Sequence, residues 1–150
     1  MNMETETMIP AGREEVFAFF SDANNLMRIT PPALHFRIVT PAPIVMREGA
    51  LIDYVIRLRG VPMRWRTRIN KWNPPFEFID EQLKGPYRTW VHHHSFTETE
   101  DGRTLMRDAV SYSLPFGMLG WVALPFVRRE IEGIFRYRAK VIGEVFPSGR

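Results

Sequence analysis

Histidines at positions 92 and 94, an aspartate at 108 and the pair Asp80 and Gln82 are the residues of this chain best able to do chemistry. In Trp90-Val91-His92-His93-His94-Ser95-Phe96, the two-residue period of a strand puts Trp90, His92, His94 and Phe96 on one face. Val91, His93 and Ser95 fall on the other. Large aromatics bound the first face, so it is expected to look inward and to carry two imidazoles into an apolar interior. Interior imidazoles need partners. Asp80 and Gln82 on the preceding strand and Asp108 on the following one are the expected partners, provided the turn at Gly85-Pro86 keeps all three strands in one meander.

Such a set supports three chemistries. It can satisfy itself, with carboxylates accepting from imidazole N–H groups. It can orient the polar end of a ligand, or work as general acid and base near neutral pH, with His92 or His94 as the base and Asp108 holding its tautomer. It can also hold a metal, since His-x-His on a strand sets two imidazoles about 6.5 Å apart on one face, with Asp108 as a third ligand. No surrounding pattern in the sequence recommends the metal, so neither a metal nor a cofactor is expected.

The elements that must position these residues follow from turn signals and periodicity. A first strand is expected over residues 3–10. A helix from about Arg13 carries Val16, Phe17, Phe19 and Phe20 on one stripe, and Asp22 or Asn24 can cap a second short helix over 25–29. Pro31-Pro32 ends it, and a strand is expected over 34–40. Gly60-Val61 suits a two-residue type II′ turn. That turn pairs Leu58 with Met63, Ile56 with Trp65, Tyr54 with Thr67 and Ile52 with Ile69 on a greasy face. The opposite face is charged, with Arg57 against Arg64 and Asp53 against Arg68. A one-residue slip would destroy this separation.

Strands over 76–84 and 87–99 come next. Glu100-Asp101-Gly102 then reads as a three-residue hairpin loop with Gly102 left-handed. That register pairs Phe96 with Met106, His94 with Asp108, His92 with Val110 and Trp90 with Tyr112, and keeps the apolar face consistent, whereas a two-residue Asp-Gly turn would set Phe96 against Arg107 and His94 against Ala109. Pro115 ends the sheet. A long helix is expected over 124–145, burying Val127, Ile131, Ile134, Val141, Ile142 and Val145, with Pro125 in its first turn.

Composition bounds the function. The 150 residues fit one domain with a core, 45% are hydrophobic, and the net charge of +3 does not call for a polyanionic partner. There is no cysteine, which removes thiol nucleophiles and thiolate metal sites and accords with a cytoplasmic location. The acidic start, Met1 to Glu6, lacks the features of a signal peptide. The longest uncharged apolar run, residues 112–127, is broken by prolines and glycines and falls short of the ~20 residues of a membrane span. No nucleotide-binding glycine loop or nucleophile elbow occurs. Nucleic acid is not an expected partner, since no recognition helix is present and the aromatics lie on the face away from the arginines.

A seven-stranded antiparallel sheet with one greasy face must cover it, and the last helix is the only element long enough to do so. The α+β order of strand, two short helices, six strands and long helix resembles the START-like, Bet v 1-like (SRPBCC) superfamily with its helix-grip fold. It is most similar to the bacterial polyketide cyclase/dehydrase-like or coenzyme Q-binding-like group. The stretches that carry the resemblance are Phe78-Ile79-Asp80-Glu81-Gln82, Gly85-Pro86-Tyr87, residues 90–96 and Leu105-Met106-Arg107-Asp108.

The resemblance implies a pocket for a small hydrophobic molecule such as a lipid, polyketide or quinone, and it does not imply a reaction. Tyr54, Trp65, Phe78, Trp90 and Tyr112 would form its walls, and Asp80, Gln82, His92, His94 and Asp108 its floor. A polyketide cyclase or dehydratase is the enzymatic alternative. Docking of a partner through the outer arginines 57, 59, 64, 66 and 68 is another. The apolar run at 114–127 reads either as a cap on the core or as a glycine-hinged gate that touches a membrane.

Overall fold

Period-two alternation and proline or glycine punctuation divide most of the chain into strands, and the computed structural model, which describes residues 1–148, joins seven of them in one sheet. The elements in chain order are β1 (Asn2–Ile9), α1 (Arg13–Ser21), α2 (Ala23–Arg28), a 3-10 turn (Pro32–Leu34), β2 (Arg37–Ile38), β3 (Leu51–Leu58), β4 (Val61–Asn73), β5 (Glu77–Lys84), β6 (Thr89–Glu98), β7 (Thr104–Ser113) and α3 (Met118–Val145). The sheet order is β1-β7-β6-β5-β4-β3-β2 and each pairing is antiparallel. The long helix lies against its inner face in a helix-grip arrangement. Asp22 caps α2, its carboxylate accepting from the Asn24 amide at 2.9 Å.

The β6–β7 hairpin has the expected register: Phe96 opposes Met106, His94 opposes Asp108, His92 opposes Val110 and Trp90 opposes Tyr112. Gly102 takes the left-handed conformation, φ 79°, that closes the three-residue loop.

The β3–β4 hairpin differs from expectation by two residues. Its turn is Arg59-Gly60, both at positive φ, and Leu58 pairs with Val61, Ile56 with Met63 and Tyr54 with Trp65. Positive φ at both central residues is the type I′ geometry, whose twist matches the strands. An even slip leaves every side chain on its expected face. It does remove the unfavourable Arg57–Arg64 opposition and gives Asp53 to Arg66, in a two-pronged contact of 2.7 and 3.1 Å, instead of to Arg68.

Two other expectations are corrected. The strand expected over 34–40 shrinks to Arg37–Ile38, because His35 turns left-handed (φ 46°) at the end of the 3-10 turn. The last helix starts at Met118, so Pro125 sits inside it. Its missing N–H would have bonded the carbonyl of Trp121, which lies on a solvent-exposed turn where water can serve instead.

The register of β4 against β5 shifts between Ile69 and Lys71. Past this bulge the inward place passes to Trp72, whose ring packs 5.2 Å from Phe17. One cluster of the core lies under α1, where Phe17, Phe20, Phe78, Phe96 and Met106 meet Ile142 of α3. A second lies under the middle of α3, where Val110 and Tyr112 meet Ile131 and Phe135.

Candidate functional site

Asp80 stands directly across from His92, and Asp108 directly across from His94, yet each carboxylate makes its shortest contact diagonally. His94 Nε2 lies 2.5 Å from Asp80 Oδ2, and His92 Nε2 lies 2.7 Å from Asp108 Oδ1. The return contacts are longer, 3.3 Å from His94 Nδ1 to Asp108 and 3.9 Å from His92 Nδ1 to Asp80. The crossing stacks the two rings at a centroid distance of 3.6 Å, and Phe78 stacks on the far side of His94 at 4.1 Å. Arg138 reaches down from α3 to place Nη2 3.5 Å from Asp108, with its guanidinium over the rings of Phe20 and Phe135. His92, His94, Asp108 and Arg138 are all buried.

Burial drives the His92 imidazole toward neutrality, the charge on His94 adds to this, and its pKa falls from 6.5 to about 4 despite Asp108. Burial acts on His94 in the same direction, but the two carboxylates outweigh it and its pKa rises. For Asp108, burial would raise the pKa; Arg138 and the imidazoles prevail and hold it well below the usual carboxylate range. Asp80 is lowered as well, its burial offset by His94. One imidazolium and one guanidinium thus neutralise two carboxylates. Because a carboxylate only accepts, the 2.7 Å contact places the proton of neutral His92 on Nε2 and leaves a lone pair on Nδ1.

Asp80, His92 and His94 could together hold a metal, since they offer ligand atoms within 4.8 Å of one another. A dication would have to displace the His94 proton and break its bond to Asp80, close to the Arg138 guanidinium. The donors fit one another better than they fit an ion.

Above the stacked rings a cavity of about 190 Å³ separates the sheet from α3 and α2. It exceeds the ~150 Å³ apolar hollow that accommodates one benzene ring. Tyr54, Trp65, Phe78, Asp80, Trp90, His92 and His94 line it, together with Ile52, Ile69, Tyr87 and, from α3, Ile131, Ile134, Phe135 and Arg138. Trp65 stacks against Tyr54 (5.7 Å) and meets Tyr87 and Trp90 edge-on, which makes a continuous aromatic wall. Burial raises the pKa of the Tyr54 and Tyr87 phenols, so both stay neutral. The buried indole N–H of Trp65 and Nε of Arg138 have no hydrogen-bond partner.

Three residues expected in the pocket lie outside its lining. Gln82 staples the β5–β6 turn, donating to the Tyr87 carbonyl at 2.8 Å and accepting from its amide at 3.2 Å. Asp108 sits behind the imidazoles and borders a separate cleft between β1 and α3. Tyr112 packs behind Trp90, with ring centroids 6.1 Å apart. Arg138 is the residue that strand-based reasoning missed. The spacing Ile131, Phe135, Arg138, Ile142 is the signal that places it on the buried stripe. On the outer face, Arg66 pairs with Asp53 and Arg68 with Glu81 and Asn70.

The profile of a family described as polyketide cyclase / dehydrase and lipid transport matches residues 9–135. No curated protein matches the chain. Among solved structures, TTHA0849 from Thermus thermophilus superposes with a TM-score of 0.73 at 15% identity, covering 97% of this chain and 99% of its own. Ms6760 from Mycobacterium smegmatis gives 0.72 at 14% identity, covering 99% and 92%. Major latex-like protein 151 from Panax ginseng gives 0.67 at 10%, covering 97% of both. At these identities the likeness establishes the fold.

Proposed function

Since the chain belongs to the polyketide cyclase / dehydrase and lipid transport family, we propose that it binds a small hydrophobic molecule, such as a lipid, polyketide or quinone, between its sheet and α3. It would hold that molecule for transport, sequestration or sensing in the cytoplasm, and hand it over at a membrane surface or a partner domain. The observation that carries this reading is the hollow itself, aromatic on its walls and floored by Asp80, His92 and His94. Apolar walls supply affinity in proportion to the area they bury, and a few fixed polar groups supply orientation. The indole N–H of Trp65 and Nε of Arg138 are buried donors without protein partners, which favours a ligand that carries an acceptor.

Native mass spectrometry of protein purified from its own source tests the reading. The expected result is a mass excess that disappears on organic extraction. A chain that remains empty when offered fatty acids, quinones and aromatic polyketides would defeat it.

A second reading, a cyclase or dehydratase, is favoured by one specific contact. Asp108 fixes His92 with Nδ1 unprotonated, as a general base requires. In that case His92→Gln would abolish loss of water from a poly-β-ketone thioester while leaving its binding intact; unchanged turnover would eliminate His92 as the base.

A further inference from the structure

The first turns of α3 expose an apolar face where a water-facing helix would carry charge. Phe116 is 81% exposed, Met118 86%, Leu119 75%, Trp121 76%, Val122 78% and Phe126 63%. Helical phase puts Met118, Leu119, Trp121, Val122 and Phe126 on one side of α3, opposite Gly120, Leu124, Val127 and Ile131 on the gripped side. The orientation is fixed by a close approach. A Cβ on Gly120 would stand 2.5 Å from the Pro115 carbonyl, so only glycine lets this turn lie against the chain that leaves the sheet. The bare face is therefore built into the fold and is not a frayed end.

Charge distinguishes this end of the molecule from the other. The start of α3, the β3–β4 turn and the β5–β6 turn lie together: Thr89 pairs with Ser113, and the Arg59 guanidinium sits 4.9 Å over Phe126. Arg59, Arg128 and Arg129 are exposed beside the apolar face and Lys84 and Arg88 are exposed at the β5–β6 turn, with Glu130 and Glu132 as the acids of that stretch of α3. The opposite end carries Glu14 and Glu15 at the start of α1 and Glu98, Glu100 and Asp101 at the β6–β7 loop, against Arg13 and Arg103. A second copy meeting this face across a two-fold axis would bring two copies of the same basic rim together, which costs energy. An anionic lipid bilayer complements both features. Its headgroups meet the arginines, and its interfacial region takes up Trp121, Leu119 and Val122.

We infer that the exposed apolar face of α3 between Met118 and Phe126, with its basic rim, docks this protein end-on to an anionic membrane surface. The surface is separate from the cavity, so the two can fail independently.

Co-sedimentation of the full chain with large unilamellar vesicles tests it. Vesicles of phosphatidylcholine mixed with phosphatidylglycerol should bind the protein, and binding should weaken as salt rises. Pure phosphatidylcholine should bind it about tenfold or more weakly. Leu119→Ser combined with Trp121→Ser, and separately Arg128→Glu combined with Arg129→Glu, should each lower partitioning about tenfold or more while leaving uptake of a neutral dye by the cavity unchanged. Brominated lipid should quench fluorescence of the intact chain, and Trp121→Phe should remove that quenching. Failure of the intact chain to bind anionic vesicles would overturn the inference, as would equal binding to neutral ones. So would a concentration-dependent dimer that the Ser variant converts to a monomer.

Discussion

Two imidazoles stacked 3.6 Å apart cannot both carry a proton cheaply, and the protein settles the matter by giving the proton to His94. Stability follows from that choice. His92 protonates near 6.5 when unfolded but only near 4 when folded, so the unfolded chain gains a proton first as pH falls, and stability drops between those values. The loss is on the order of 3 kcal/mol. His94 acts in the opposite sense. Its raised value contributes stability that is complete below 6.5 and is lost as pH climbs through the folded value. Asp80 and Asp108, both lowered, withdraw their share only below their ordinary 3.8. Urea midpoints should therefore peak near pH 6.5. Nitrogen NMR at a pH between the lowered His92 value of about 4 and the ordinary 6.5 should show one ring doubly protonated and its neighbour singly. A common titration of both rings near 6.5 would refute the arrangement. Parity along residues 90–96 was enough to find both histidines and Asp108. Strand parity says nothing of Arg138, a charged residue on a helix whose phase places it inside.

Helix α3 has two parts with different surroundings. From Ile131 to Ile142 its inner stripe is buried against the sheet; before Pro125 it is apolar and largely bare. Amide hydrogen exchange should show this division, with residues 118–124 exchanging orders of magnitude faster than 131–142. Uniform protection along the helix would contradict it. The sequence hid this early start because Gly117, Gly120 and Pro125 are helix breakers by propensity, and here one serves a sharp turn, one a close approach and one an exposed position. The β3–β4 turn shows a different limit. Faces were legible because parity survives an even slip, whereas the choice between Gly60-Val61 and Arg59-Gly60 rests on an arginine accepting φ 54°. The strand expected at 34–40 failed for a similar reason, a left-handed His35 that no local pattern announces.

Across the molecule, the sheet grips α3 at the two clusters of its core and leaves the hollow between it and the helix. The seven-strand order and the covering helix were legible from alternation and turn chemistry, since few other arrangements hide one greasy face. The volume of the hollow was not, because it depends on how far the bulge at 69–71 bends the sheet and how deeply Arg138 and Phe135 reach in. Among the described residues no helix is long and apolar enough to cross a membrane.

Filling the hollow shows whether it is a binding site. N-phenyl-1-naphthylamine, neutral and fluorescent in apolar surroundings, should bind the intact chain with a blue-shifted rise in emission. Ile134 lines the cavity from α3, so Ile134→Trp should occupy the space, keep or raise the melting temperature, and abolish the signal. No binding by the intact chain, or equal binding by a well-folded Ile134→Trp protein, would mean that the hollow is not a binding site.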